Sequence, residues 1–466
     1  MNIYFPTFEI MLVLVLLGII CTAFKVLFLS EAAKDEIKRI DTVKELPKPL
    51  VLEHPLSSYL GWETNLKTKI YIPDRVRSRH VHIMGATGSG KTESVLLNLI
   101  DQDAKRGYPV VIVDAKGEEA FLEFLKKHPA IKDRLFVFDA GSKDISARYN
   151  PLATGNNTSS VLRLFNAMTW SEEFYKTRAR DTLMRLADIQ DRKNERVTLH
   201  WLKEALSSSS SLAALLTTDT NPIRITENEY SQLSGLVSQV NQLCHGDLGE
   251  LISGKSSERE LNLGNAIQDR AVVYFKLPSL EDPVTTATIG RLIIGDLALY
   301  AAQVQAGRYK SSFTPVFLDE FGSLVCPAFL ELISKSRSAG LALHFSHQSM
   351  GDLRAAGENF VSQINDNSST KIVLRVYDPD TADNVARMFG TVITMKETRQ
   401  MVTENFGNTK ETGVMAVRDT REFRCNPDHV KSLPTGCAFV LMNHALRAEG
   451  NSGDVFRLRF PLPTKY

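Results

Sequence analysis

The sequence predicts an α/β fold with a mostly parallel central sheet, an all-α inserted domain and one N-terminal transmembrane helix. Three observations support this prediction. Short apolar runs alternate with longer helical patterns over most of the chain, a central stretch shows helical periodicity alone, and one apolar run of twenty residues lies near the N-terminus.

The composition of the 466-residue chain is globular, with 43% hydrophobic and 23% charged residues. It excludes a mostly disordered, collagen-like or fully membrane-embedded protein. Because 55 Lys and Arg against 54 Asp and Glu leave a net charge of +1, no global basic field points to a nucleic-acid partner. The five cysteines are scattered without a C-x-x-C pair, which favours neither a disulfide framework nor a zinc site and is typical of a reducing cytosol.

The first element is a predicted transmembrane helix at 10–29, where Lys25 is the only charge. Twenty apolar residues match the ~30 Å hydrocarbon core of a bilayer. A cleaved signal peptide is disfavoured, since the preceding residues contain no Lys or Arg. Basic residues follow the run at Lys34, Lys38 and Arg39, so the positive-inside rule places the N-terminus outside and everything after residue 30 in the cytoplasm.

A mixed-charge, proline-containing stretch follows and is predicted to be a juxtamembrane stem. After it, apolar runs of four to seven residues alternate with helical patterns, as in a parallel sheet covered on both faces. These runs are HVHIM near 80, PVVIVD near 110, RLFVFD near 135, AVVYFKL near 271, PVFLD near 315, LALHFS near 341 and KIVLRV near 371. Between Asn150 and about Gly264 the strand signal fades and helical periodicity predicts an inserted helical domain.

One motif carries chemistry directly. The segment Gly85-Ala86-Thr87-Gly88-Ser89-Gly90-Lys91-Thr92 matches G-x-x-x-x-G-K-[ST] between an apolar strand and a helical pattern, which is the context of a phosphate-binding loop. Glycines let the backbone wrap phosphates, and the following helix N-terminus favours an anion. Lys91 is expected to reach the β- and γ-phosphates of ATP, and the Thr92 hydroxyl to ligate Mg²⁺.

A second strand, in PVFLDEFG, ends in two acids. Asp319 is expected to bind the Mg²⁺ shell, and Glu320 stands where a base can polarise the attacking water. A third strand ends in Gln348, a neutral group that can orient water or sense the γ-phosphate. His344 and His347 are three residues apart, so they face opposite sides of that strand and are interpreted as structural.

Two arginines are candidates for reaching a neighbouring subunit's nucleotide. Arg337 lies in SKSRSAG and Arg375 in LRVYD, each near the end of a core element. Either can act as an arginine finger, and either can form an ordinary surface ion pair.

With these motifs the chain resembles the TraG/TraD family of type IV coupling proteins, the membrane-anchored ATPases of conjugation and type IV secretion. The resemblance runs from about 78 to 460. Besides the loop it rests on VVIVDAKGE (Asp114, Lys116, Gly117, Glu118), YNPL (Tyr149 to Leu152), LDEF followed by SRSAG, HQS, and NPDHVKSLPTGCAFVL. The wider relatives are the RecA-like hexameric DNA pumps of the FtsK and HerA kind.

The resemblance implies a RecA-like P-loop domain and a homo-hexamer that hydrolyses ATP between subunits with Mg²⁺. It implies escort of relaxase-bound single-stranded DNA, or of protein effectors, to a type IV secretion channel at the bacterial inner membrane. It makes Lys91, Glu320, Gln348 and Arg337 the catalytic set, with Gln348 as sensor and Arg337 acting in trans. Family members usually begin with two transmembrane helices, and this sequence predicts one.

The chain is therefore expected to have four parts. They are a membrane anchor at 1–30, a stem at 31–78, a nucleotide-binding domain formed by 79–154 and 265–466, and an all-α inserted domain at 155–264. Two other functions stay open: a DNA pump or secretion-machine assembly ATPase, and a membrane scaffold or receptor that uses nucleotide only to hold its ring together.

Overall fold

The computed structural model describes residues 56–65, 67–217, 224–252, 260–277, 282–403, 409–442, 446–447 and 455–463. The predicted transmembrane helix at 10–29 and the first part of the predicted stem lie outside the described residues.

The described residues form sixteen strands. These are β1 (Ser57–Glu63), β2 (Lys69–Pro73), β3 (Val81–Met84), β4 (Val110–Asp114), β5 (Leu135–Asp139), β6 (Arg148–Tyr149), β7 (Glu260–Leu261), β8 (Val272–Lys276), β9 (Thr314–Asp319), β10 (Leu341–His347), β11 (Thr370–Val373), β12 (Thr391–Thr403), β13 (Thr409–Phe423), β14 (Cys437–Met442), β15 (Leu446–Arg447) and β16 (Val455–Arg459).

Twelve of these strands form one sheet in the order β15-β2-β1-β16-β14-β11-β3-β10-β9-β4-β8-β5. The run from β11 to β5 is parallel throughout. Its strands are the apolar runs of the sequence, and nearly all of their residues are buried because helices cover both faces. The predicted α/β fold with a mostly parallel central sheet is confirmed.

The other part of the sheet is antiparallel and includes residues expected in the stem. β1 pairs with β2 and with β16, and β14 joins this part to β11. The stem prediction is therefore wrong for residues 57–77. Tyr59, Leu60, Ile70 and Ile72 in β1 and β2 are fully buried. Burial of these apolar side chains stabilises the two strands, although the nearby prolines are typical of an extended linker.

Helices cover the sheet and form the segment between β6 and β7. They are Asp74–Arg77, Leu97–Lys105 preceded by a π-helical turn Lys91–Leu96, Glu119–Lys127, Asn157–Ala167, Glu173–Lys193, Leu199–Ala205, Ser209–Leu216, Glu227–Ser231, Ser234–Leu243, Gly246–Ile252, Leu263–Gln268, Pro283–Gln305, Pro327–Lys335, Met350–Arg354, Glu358–Asn367, Pro379–Phe389 and Pro427–Lys431. Short 3₁₀ turns lie at Lys132–Arg134, Phe321–Leu324 and Ser336–Ala339.

Two hydrophobic cores lie on the two faces of the sheet. Alternate residues of β4 belong to different cores: Val111 and Val113 lie in one core, and Val110 and Ile112 lie in the other. The sheet is thus the middle of three layers. Its strand ends, rather than its faces, are left to form sites.

The segment between β6 and β7 is helical from 157 to 252 over its described residues. Its two ends meet, because Tyr149 in β6 pairs with Leu261 in β7. The Tyr149 hydroxyl also donates to Asp296 of the core helix Pro283–Gln305 at 3.0 Å.

Helix Pro283–Gln305 is, among the described residues, the one helix long and apolar enough to cross a membrane. Most of it is buried, including Ile289, Leu292 and Leu297. It packs in the same core as the sheet and the helices 157–252. We therefore interpret it as a core helix of the fold.

Candidate functional site

The glycine-rich loop connects β3 to the π-helical turn and the helix that follows it. Gly88 and Gly90 have φ angles of 73° and 97°, a region that residues with a Cβ seldom adopt. A Cβ on Gly90 would lie 2.9 Å from Ser94 Oγ and 3.1 Å from Gly436 N. The positive φ explains glycine at both positions, and crowding adds to it at Gly90 alone, since a Cβ on Gly88 would meet nothing within 4 Å.

Two polar side chains are buried inside the loop. Lys91 Nζ donates to the Gly85 carbonyl at 2.6 Å, and Lys91 is 6% exposed. Ser89 is fully buried, and its hydroxyl has no hydrogen-bond partner among the described residues. A buried ammonium and an unpartnered buried hydroxyl in one loop fit an anionic ligand.

The predicted metal ligands lie in contact. The Thr92 hydroxyl donates to Asp319 Oδ2 at 2.8 Å, although 227 residues separate them in the chain. The other oxygen, Asp319 Oδ1, accepts from the Ser346 hydroxyl and from the Glu320 N–H at 3.1 Å. A hydroxyl and a carboxylate in contact form the oxygen set that Mg²⁺ prefers, so these residues fit the ion.

Glu320 and Gln348 extend this cluster toward the loop. Gln348 Nε2 donates to Glu320 Oε2 at 3.2 Å, while the Thr87 hydroxyl donates to Gln348 Oε1 at 3.3 Å. Glu320 has a φ of 51°, a strained conformation for a residue with a Cβ. Gln348 therefore bridges the loop to Glu320, the acid that follows β9.

The two arginine candidates lie in different places. Arg337 lies in the turn Ser336–Ala339 that precedes β10, at the end of the sheet opposite to the loop of its own chain. Arg375 follows β11 beside the loop, where its carbonyl accepts from the Ala86 N–H at 2.7 Å. Its guanidinium, however, donates to the Leu433 carbonyl at 3.3 Å. The structure thus does not bring Arg337 to the other predicted residues within one chain.

Asp114, at the end of β4, was noted in sequence only as part of DAKGE. One of its oxygens accepts from the Lys116 and Gly117 N–H groups at 2.9 Å, and the other from the Tyr274 hydroxyl at 2.7 Å. Burial raises the pKa of this carboxyl, and the Tyr274 hydrogen bond opposes that rise. Asp114 holds the loop after β4 beside Asp319, its partner in strand register.

Asp352 anchors the residue that bridges the site. Its Oδ2 accepts from the backbone N–H groups of Gln348 and Ser349, both at 2.9 Å. Burial raises its pKa, but hydrogen bonds from His347, Ser349 and Gln348 outweigh burial and lower the pKa to about 2. No sequence motif pointed to Asp352, although the S-x-x-D spacing from Ser349 is that of a helix-capping pair.

The turn Pro434–Gly436 clasps the loop from the antiparallel side of the sheet. Gly436 N–H donates to the Ser89 carbonyl at 3.0 Å, and the Thr435 hydroxyl donates to the Gly88 carbonyl at 3.3 Å. In sequence this turn contributed only to the family resemblance.

The histidines of β10 are buried in the sheet. His344 Nε2 accepts from Arg77 at 3.1 Å, and its ring stacks on Phe317. His347 Nε2 lies 2.6 Å from His82 Nε2, and its Nδ1 lies 2.7 Å from the Ser349 carbonyl. Burial, which is the largest effect, and the charge of Arg77 lower the pKa of His344. Both residues are packed into the fold, with their rings in hydrogen bonds.

Comparisons with known proteins match two parts of the chain to described families. Residues 314–434 match the family described as the TraM recognition site of TraD and TraG, and residues 59–239 match the central domain of helicase HerA. The type 4 coupling protein DotL of Legionella pneumophila is 24% identical over 399 residues, covering 69% of this chain and 50% of DotL. The chain is a relative of the TraG/TraD coupling ATPases.

Other similarities cover a shorter part of the chain or concern the fold alone. An uncharacterized protein of Mycoplasma pneumoniae is 32% identical over 114 residues, which are 24% of this chain and 75% of that protein. The conjugative coupling protein TrwB, in an unbound form, has a TM-score of 0.64 at 15% identity and covers 85% of this chain and 89% of its own. TrwB with ADP and Mg²⁺ gives 0.62 at 15% identity, covering 84% and 88%. The two TrwB structures show a shared fold. The chain spans half the length of DotL.

Proposed function

We propose that the chain is a membrane-anchored ATPase that recruits a DNA–relaxase complex or protein substrates and drives their transfer through a type IV secretion channel. The observation that carries the proposal is the convergence of Thr92, Asp319, Glu320 and Gln348 on the glycine-rich loop. TrwB, whose fold the chain shares, was determined with ADP and Mg²⁺ and with an ATP analogue.

In this proposal, ATP lies with its phosphates in the loop Gly85–Thr92. Lys91 leaves the Gly85 carbonyl for the β- and γ-phosphates, because a charge-assisted contact to phosphate is stronger than one to a neutral carbonyl. Thr92 and Asp319 would hold Mg²⁺, and the ion would supply positive charge to neutralise the phosphates.

Glu320 acts as the base in the proposed reaction. The Asp319 carboxylate accepts from the Thr92 and Ser346 hydroxyls and would also hold the metal, so Glu320 is left to accept the proton of the attacking water. Gln348, which contacts Glu320 and the loop residue Thr87, orients that water between the base and the γ-phosphate. The water oxygen bonds to the γ-phosphorus while the bond from that phosphorus to the β–γ bridging oxygen breaks, which yields ADP and inorganic phosphate. The proton held by Glu320 then passes to the released phosphate or to solvent.

The oligomeric state, the cellular location and the domain division of the chain are also proposed. We infer a homo-hexamer at the bacterial inner membrane, anchored by 1–30 with the N-terminus outside and the ATPase in the cytoplasm. The helical segment between β6 and β7 is proposed as a separate domain that meets substrate, and the strands on either side of it as the nucleotide-binding domain.

A DNA pump of the HerA kind is the second candidate, favoured by the match of residues 59–239 to the HerA central domain. The two candidates differ in what stimulates hydrolysis. A coupling ATPase needs substrate together with its channel, whereas a pump responds to DNA alone.

The test is ATP hydrolysis by the detergent-solubilised full chain, with and without single-stranded DNA, across salt concentrations. Lys91→Ala is expected to lower hydrolysis by roughly 100-fold or more, because the phosphates lose their loop cation. Lys132→Ala, which removes an exposed lysine in the turn Lys132–Arg134, serves as the control and keeps the wild-type rate. Wild-type hydrolysis in Lys91→Ala contradicts the site.

A further inference from the structure

Two buried histidines join the strand that leads into the glycine-rich loop to the strand that leads into Gln348. His82 lies in β3 and His347 ends β10, and these two strands are parallel neighbours in the sheet. Both side chains are fully buried. Their Nε2 atoms are 2.6 Å apart, which is a hydrogen-bond distance. We call these two residues the histidine pair.

The hydrogen-bond partners of the histidine pair determine where its protons lie. His347 Nδ1 is 2.7 Å from the Ser349 carbonyl, which can only accept, so this nitrogen carries a hydrogen. The Nε2 of a neutral His347 ring is then bare and accepts from the Nε2–H of His82. Burial, which is the largest effect, and the charges of His347 and Lys371 lower the pKa of His82. His82 is therefore the neutral donor of the pair.

His347 and its neighbours hold the backbone on both sides of Gln348. The His347 carbonyl accepts from the N–H of Gly85, the first residue of the loop, at 3.2 Å, while its ring holds the Ser349 carbonyl. Asp352 accepts from the N–H groups of Gln348 and Ser349, both at 2.9 Å. The Gln348 side chain thus leaves a backbone that is fixed before, at and after this residue.

Packing alone does not account for the histidine in β3. His82 Nδ1 has no hydrogen-bond partner among the described residues, although the side chain is fully buried. Such an unpartnered nitrogen costs free energy that an apolar side chain at this position would not cost. The His82 ring stacks on Phe345 with 4.8 Å between centroids, a contact that a phenylalanine could also make. What a phenylalanine cannot supply is the N–H that reaches His347.

We propose that the histidine pair positions Gln348 for ATP hydrolysis, with His82 donating from the loop strand to His347 and His347 holding the turn that carries Gln348. The inference rests on the proposed function, because it requires Gln348 to orient the attacking water. The pair contacts neither nucleotide nor water, so both histidines are positioning residues. Since β3 ends at the loop and β10 ends at Gln348, the pair fixes the spacing between the phosphates and the residue that orients water, and hydrolysis rates depend steeply on such spacing.

The experiment is a double-mutant cycle between His82 and Gln348 in the detergent-solubilised full chain. His82→Phe, Gln348→Ala and the double variant are compared with the wild type for kcat and for the Kd of ATP. His82→Phe should lower kcat about fivefold and leave the Kd unchanged, because the ring remains while the N–H is lost. In the Gln348→Ala background the same substitution should change kcat less than about twofold, since the residue that it positions is already missing.

Three further variants separate positioning from folding. His82→Gln keeps an N–H near the place of Nε2 and should keep kcat close to the wild-type value. His347→Gln keeps an acceptor for His82 but loses the donor to Ser349, so it should lower kcat as His82→Phe does, and a His82→Phe chain that fails to fold does not decide the result. The control His344→Phe removes a buried imidazole on the other face of β10 and leaves Arg77 Nε without its partner, so it should lose stability and keep kcat.

The inference is overturned if His82→Phe and His347→Gln both keep the wild-type kcat, or if His82→Phe lowers kcat by the same factor with and without Gln348. A loss of ATP affinity at unchanged kcat also overturns it, because the pair then acts on the loop alone. A His82→Gln variant as slow as His82→Phe contradicts the donor role of His82. These results leave the proposed function intact, whereas a wild-type chain without ATP hydrolysis overturns the proposed function together with the inference.

Discussion

At the scale of single residues, the site consists of side chains joined to one another by hydrogen bonds. The sequence predicted Lys91, Thr92, Asp319, Glu320 and Gln348, because each belongs to a loop or follows a recognisable strand. Their mutual contacts were not predictable, nor were partners such as Ser346 and Asp352, because no local pattern records which strand ends meet across the sheet.

Replacing Gln348 with Ala removes the bridge between Thr87 and Glu320. We expect kcat to fall about tenfold or more, the order of a lost general-base contact, while the affinity for ATP changes little because Lys91 and Thr92 remain. Steady-state kinetics with nucleotide titration measures both. Gln303→Ala, on the core helix, is the control, and a loss of ATP affinity without a fall in kcat argues against the bridging role.

Replacing Asp352 with Asn tests the anchor of Gln348. The pKa of Asp352 is lowered from 3.8 to about 2. The ionised carboxylate therefore stabilises the fold at pH values above its ordinary pKa, and this stabilisation is lost as the pH falls toward 2. The difference in free energy of unfolding between wild type and Asp352→Asn should therefore shrink between about pH 4 and pH 2. Urea unfolding at several pH values measures it, and a difference independent of pH contradicts the assignment.

At the scale of elements, the seven apolar runs of the sequence all became parallel strands, since continuous burial leaves a strong pattern. β1 and β2 were missed because neither is a continuous apolar run and because Pro55 precedes β1 and Pro73 ends β2, and prolines are typical of linkers. The clasp of the loop by Pro434–Gly436 was also missed. It depends on long-range backbone contacts that turn residues do not specify.

Gly436→Ala tests this clasp. Gly436 has a φ of 75°, so a residue with a Cβ strains the turn there, and the Cβ would also lie 3.1 Å from Ser94 Oγ, on the first helical turn after the loop. We expect the affinity for ATP to fall severalfold. Gly357→Ala is the matched control, because its φ is 98° but its Cβ meets nothing within 4 Å. It should cost about 1 kcal/mol of stability and leave ATP affinity unchanged.

If Gly436→Ala and Gly357→Ala have the same affinity for ATP, the turn Pro434–Gly436 does not shape the nucleotide loop. Equilibrium binding of a fluorescent ATP analogue to both variants decides between these results.

At the scale of the whole molecule, the net charge of +1 conceals a division of charge across the sheet. Arg75, Arg79 and Arg337 lie near the amino ends of β3 and β10 and make no ion pair within the described part of the chain, while carboxylates follow the strands at the other edge. Total charge therefore gave no information about partners. The arrangement arises because parallel strands bring all their amino ends to one edge and all their carboxyl ends to the other, which composition cannot show.

The central claim is that the carboxyl edge of the sheet hydrolyses ATP with Glu320 as base and that this hydrolysis drives transfer. The most direct measurement compares the wild-type chain with Glu320→Gln for ATP binding, ATP hydrolysis and substrate transfer in cells. The control is Glu331→Gln, which changes an exposed carboxylate on helix Pro327–Lys335. We predict that Glu320→Gln binds ATP as the wild type does, hydrolyses it at least 100-fold more slowly and transfers no substrate. Wild-type hydrolysis contradicts the assigned base, and undiminished transfer without hydrolysis identifies a scaffold instead of a motor.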